Sequence, residues 1–150
     1  MKHMNTIRGL SVLFFLIIIS NSAFAQAKGI IKYRKNVMKS TGGHMGAIVD
    51  IFKNGLPLTA HLVDHARSIN QNSKMTLAMF PKGSGIGDTK AKPAIWENWS
   101  KFENAVKAFE SESAKLAKVA ESGDMQALAK QVQATGKSCA SCHKKFRERN

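Results

Sequence analysis

Residues 125–146 read MQALAKQVQATGKSCASCHKKF. Met125, Leu128, Val132, Thr135, Cys139, Cys142 and Phe146 recur at alternating spacings of three and four, the stripe of a helix packed against other helices. Asp124 stands in front of it as an N-cap, and Gly123 closes whatever comes before. The stripe holds both cysteines of the 150-residue chain. Three apart on a helix, they send both thiols out of one face, with His143 directly after Cys142 and four after Cys139.

The rest of the chain supplies partners for this helix. Ile95, Trp99, Phe102, Val106, Phe109, Ser113, Leu116 and Ala120 repeat the same spacing up to Gly123, and Pro93 suits the first turn of their helix. Ile31, Arg34, Met38, Thr41, Met45, Ile48 and Phe52 repeat it again, with Asn54-Gly55 as a stop. Between the two, Leu62, Ala66, Ile69, Leu77 and Phe80 predict one helix ending at Pro81. Thr59 is its N-cap, with Leu58 and Val63 as a hydrophobic staple. Residues 81–93, PKGSGIGDTKAKP, read as a loop. The expected fold is all-α, an antiparallel four-helix bundle with each stripe turned inward. Gly42-Gly43 falls inside the first helix at about 1 kcal/mol per glycine. The pair is open to three readings: a kink, a close approach by a backbone or flat ligand, or a tolerated weak spot.

Composition agrees with one globular domain. Hydrophobic residues make up 43%, charged residues 22% and aromatics 7%, too apolar for disorder and too polar for a multi-span membrane protein. Residues 1–25 read as a secretory signal peptide: Lys2 and Arg8, an apolar run from Leu10 to Ile19, then Ala23-Phe24-Ala25 as the small-x-small cleavage pattern. That run falls well short of the roughly 20 residues of a spanning helix. The mature domain is expected at residues 26–150, in the periplasm. Removing two basic residues lowers the formal charge from +13 to +11.

Cys139-Ala140-Ser141-Cys142-His143 is the C-x-x-C-H pattern of covalent c-type haem attachment. Each thiol forms a thioether with a haem vinyl group, and His143 reaches the iron from the edge those bonds fix. The stripe runs through both cysteines, so the haem is expected in the bundle core. Other uses of the pair fit less well. A thioredoxin-type C-x-x-C wants a βαβ setting, structural zinc wants four ligands, and a disulfide here would close a very small loop within a helix.

Gly136-Lys137-Ser138-Cys139-Ala140-Ser141-Cys142-His143-Lys144-Lys145-Phe146-Arg147, at the end of such a chain, resembles the cytochrome c prime family and its low-spin relatives, the class II cytochromes c. Tyr33-Arg34-Lys35-x-x-Met38, Gly42-Gly43-His44-Met45-Gly46 and Ile95-Trp96-Glu97 are similar to its other signatures. The resemblance spans the whole mature chain. It implies one haem c per chain with His143 as axial ligand, and Met38 over the distal face. There Met38 either binds iron as a sixth ligand or blocks the site and leaves five-coordinate iron open to small gases; its thioether suits both roles. Arg34, one turn before Met38 and inward, calls for an anion, and the haem propionates are expected to supply it. Arg147 is expected beside His143, steering its hydrogen bonding. Family members are often antiparallel homodimers, so a homodimer is an expectation by resemblance.

The remaining residues point to less. His61 and His65, at i and i+4, lack a third ligand and read as surface or partly buried histidines; His44 lies off the face of Met38. Trp96 and Trp99 read as core. The lysines are interspersed with acids, as in Lys101, Glu103, Lys107 and Glu110, a solvated surface with no nucleic-acid stripe. Lys144, Lys145, Arg147 and Arg149 cluster beside the motif, a rim suited to acidic redox partners or simply to solubility. No acid–base pair or nucleophile constellation marks an enzyme. Two functions follow: a periplasmic haem protein that transfers electrons, or one that binds nitric oxide or carbon monoxide without turnover.

Overall fold

The structure is a computed structural model that describes the backbone of residues 4–149 and the side chains of residues 25–149. Most of the expected leader, residues 1–25, therefore lies outside the described side chains. Five α-helices follow in order: α1 (Met4–Asn54), α2 (Leu62–Lys74), α3 (Ala94–Glu97), α4 (Trp99–Ser122) and α5 (Met125–Phe146), with 3₁₀ turns at Thr59–His61 and Leu77–Met79. Helices α1, α2, α4 and α5 are the four arms of the bundle. Neighbours in the ring are α1 with α2, α2 with α4 and α4 with α5, while α1 and α5 touch only sparingly.

The punctuation of the chain explains the arms. Gly55 adopts φ +59° just past α1, and Gly123 adopts φ +73° just past α4, the left-handed region open to glycine at a helix end. Asp124 caps α5 by accepting from the backbone N–H of Gln126 (3.0 Å) and Ala127 (2.9 Å). α1 runs through Gly42-Gly43 without a break, and nothing beyond their own stretch of helix lies within 4 Å of where their Cβ atoms would sit, so no other backbone approaches there.

Two features depart from the sequence expectation. The second helix is not continuous to Pro81: α2 stops at Lys74, and Leu77–Met79 form a separate 3₁₀ turn. It also starts without Thr59 as its cap, because Thr59 opens the preceding 3₁₀ turn and His61 stands at the N-cap with no side-chain bond. The third arm is broken at Asn98, which has φ −126° and ψ 49°, a conformation that an asparagine side chain tolerates better than most. Trp96 fixes the short piece by donating from Nε1 to the carbonyls of Phe80 and Pro81, each at 3.1 Å. A Cβ at Gly85 would lie 2.6 Å from the Trp96 ring, so that loop position needs glycine.

The stripes bury as expected, with exceptions at their ends: Trp99 and Met125 are each 39% exposed, and Trp99 is thereby not core. The interior divides into two clusters. Ile48, Ile51, Leu62, Ile69, Phe109, Leu116 and Leu128 form one; Met79, Phe80, Ile95, Phe102, Val106 and Phe146 form the other. A buried Ser113–Ser73 hydrogen bond of 2.9 Å ties α4 to α2. Cys139 packs against the first cluster and Cys142 against the second, so the motif lies where they meet.

Candidate haem-binding site

Where α1 and α5 stand apart, the bundle opens into a cavity of about 530 Å³, within the size range of cofactor clefts. Met38, Phe80, Ile95, Phe102 and Phe146 give it apolar walls. Cys142 and His143 reach it from α5, Met38 and Gly42 from α1, and Arg34, Lys35, Lys39, Lys90 and Arg147 supply the cations around it. The loop after α2 closes one side. Its end pairs with the chain terminus through Lys92 N–H to the Phe146 carbonyl (3.0 Å) and Glu148 N–H to the Lys90 carbonyl (2.8 Å). Phe102 is the centre of the aromatic wall, edge-on to both Phe80 (4.8 Å between centroids) and Phe146 (5.3 Å).

Cys139 and Cys142 form no disulfide with each other. Burial, with Cys139 as a minor contributor, pushes the Cys142 thiol up to about 11, and burial also raises Cys139. A thiol held in its protonated form is a poor zinc ligand or redox nucleophile. His143 is shifted the other way: burial first, then the Arg147 charge, lower its pKa. The neutral imidazole is the form that binds a metal. Arg147 lines the same cavity, within electrostatic reach of His143.

Arg34 lines the cavity, and neutral oxygens of the segment that follows α2 hold its guanidinium. Its Nη1 donates to the Met79 carbonyl (3.0 Å) and Ser84 Oγ (3.1 Å), its Nη2 to the Ser84 carbonyl (2.9 Å) and Thr89 Oγ1 (2.7 Å). The guanidinium also lies 4.5 Å from the centre of the Phe80 ring. Four of its five N–H groups are thereby engaged by the segment over the cavity. The helical stripe placed Arg34 inward but gave no view of a loop 45 to 55 residues away. Replacing it should leave buried acceptors without donors. Arg34→Ala is expected to cost about 3 kcal/mol of stability, read as a lower urea midpoint with an unchanged slope.

The described residues fit a haem. An apolar slot would take the macrocycle, the two thiols three apart on one helix face would meet its vinyl groups, and the cations that line the cavity would face its carboxylates. The comparisons decide the family. Residues 29–147 match the family model for Cytochrome C′. The chain belongs to the cytochrome c′ family.

Relatives in that family share about a third of the sequence. Cytochrome c′ of Rhodospirillum rubrum is 36% identical over 124 residues, 82% of this chain and 84% of the relative. Cytochrome c-556 of Agrobacterium fabrum is 36% identical over 123 residues, 81% of this chain and 82% of the relative. Among solved structures, cytochrome c prime from Shewanella frigidimarina superposes with a TM-score of 0.78 at 28% identity, covering 82% of this chain and 97% of the other. A nitric oxide complex of a variant cytochrome c prime from Alcaligenes xylosoxidans gives 0.76 at 26%, covering 82% and 97%. As a cytochrome c′ family member the chain is a haem c protein, one haem per chain. Its described residues form the four-helix bundle of those structures.

Proposed function

We propose that this is an exported, periplasmic haem protein that carries electrons through a single haem c, with no turnover chemistry of its own. The observation that carries the reading is the cavity's chemistry. Cys142 and His143 enter it from one helix and Met38 from another, while its only carboxylate among the described residues, Asp88, is exposed and tied to Lys35 at 2.6 Å. Covalent attachment at Cys139 and Cys142 keeps the redox centre on the protein through repeated exchange. His143 would hold the iron, and the haem would supply the one-electron couple. Lys35, Lys39, Lys90 and Arg147 around the cavity, with Lys144, Lys145 and Arg149 exposed nearby, would steer an acidic redox partner. Export rests on the leader, cleaved after Ala25. Among the described residues no helix is long and apolar enough to cross a membrane.

A second reading has its own support: the nitric oxide complex of the Alcaligenes relative, and the position of Met38 as a flexible, partly buried wall. On this reading Met38 crowds the distal face without binding iron, and small gases reach it. The ferric protein is then high-spin and five-coordinate, and Met38→Ala binds carbon monoxide and nitric oxide at least about tenfold faster, a barrier change of about 1.4 kcal/mol. Stopped-flow mixing with the ferrous protein measures this. A low-spin wild type with a sulfur-to-iron band in the far red, lost in Met38→Ala, would make the protein an electron carrier alone.

A further inference from the structure

On the α1–α2 seam, His44 and His65 face each other with their Nδ1 atoms 3.0 Å apart. Their rings are 5.2 Å between centroids and tilted by 48°, and both side chains are half-buried. We propose that His44 and His65 form a two-histidine site for a divalent first-row ion, Zn²⁺ or Cu²⁺, separate from the haem.

The separation is the chief argument. With metal–nitrogen bonds of about 2.0–2.1 Å, two imidazoles at 90–110° around one ion place their nitrogens about 2.9–3.4 Å apart. The two Nδ1 atoms already stand at that distance, on two helices packed together. Imidazole suits both ions, and copper binds such sites more tightly than zinc. No third His, Cys, Asp or Glu completes the group among the described residues, so water fills the remaining positions. The site is then an open one, of moderate affinity. Such an ion would bridge α1, the helix that carries Met38, to α2.

The test uses the exported holoprotein with its covalent haem. Calorimetric titration with Zn²⁺ at pH 7.5 is expected to show one ion per chain. His44→Gln and His65→Gln are each expected to weaken binding at least about tenfold, while His61→Gln leaves it within a factor of two. Cu²⁺ added to the ferric protein should give, beside the haem signal, a copper electron paramagnetic resonance signal with coupling to two nitrogens, lost in either variant. Glutamine keeps a hydrogen-bonding amide at the seam, and the haem spectrum of each variant reports that the fold is intact. Absence of Zn²⁺ binding at 100 µM (about 0.1 mM), or binding unchanged in His44→Gln, would overturn the site and leave a plain interhelical hydrogen bond.

Discussion

A Cys139→Ala/Cys142→Ala chain, exported alongside a working haem-attachment system, is expected to carry no covalent haem and to lose much of its stability. The two thiols are the only ones in the chain, so nothing else can form a thioether. The stability loss follows from the packing. The cavity of about 530 Å³ between α1 and α5 is bounded by the second core cluster, whose Phe80, Phe102 and Phe146 meet edge-on. Without the haem these rings face a void or water, and large cavities cost several kcal/mol, a large share of the 5–15 kcal/mol typical of a domain. Thermal unfolding should therefore move down by at least about 10 °C. Haem that stays bound to the double variant through denaturation would contradict this.

Removal of His143 is expected to abolish the native spectrum in both oxidation states. His143 follows Cys142 on α5 and lines the same cavity, so attachment through the two thioethers would bring it to the iron. The other described histidines are placed elsewhere. His61 is exposed, and His44 and His65 are engaged with each other at 3.0 Å on the α1–α2 seam. None of the three lines the cavity. His143→Ala should thus keep its covalent haem while losing its axial nitrogen ligand, and the spectra of His61→Ala and His65→Ala should match the wild type. A change in either of those as large as in His143→Ala would reassign the ligand. The low pKa of His143, set by burial and the Arg147 charge, favours the ligating neutral form. Arg147→Ala should raise that pKa in the haem-free double-cysteine variant, which nuclear magnetic resonance can read.

The stripes of α1, α4 and α5 were legible because they are long and strictly spaced, so the side chains that face the core are fixed by helix geometry alone. The ends at Gly55, Gly123 and Asp124 were legible for the same local reason, since each acts within one turn of itself, whereas Thr59 opens a 3₁₀ turn and caps nothing. The second arm was not. Leu77 and Phe80 fit the stripe of a continuous helix, yet the chain turns at Met75 and Thr76, and the fully buried Met79 takes up a core position the spacing did not assign. Trp99 shows the opposite error: the spacing puts it inward, and the break at Asn98 leaves it 39% exposed.

Long-range pairings divide the site in the same way. Cys139, Cys142, His143 and Arg147 lie within nine residues on one helix and its cap, so their grouping could be read directly. Met38 and Arg34 were placed inward by the stripe of α1, and for Met38 the cavity wall is where it lies. The oxygens that satisfy Arg34 come from residues 79–89, and the partner of His44 lies 21 residues away on α2. Neither contact leaves a periodic signal. A sequence shows that an inward arginine needs acceptors, but not that a loop will bring four neutral ones.

Intact mass of the exported, mature protein tests the central claim most directly. The account predicts the mass of residues 26–150 plus one haem, unchanged by extraction into acidic organic solvent because two thioethers at Cys139 and Cys142 hold it. Colour that passes into the solvent and leaves a chain of apoprotein mass would contradict it.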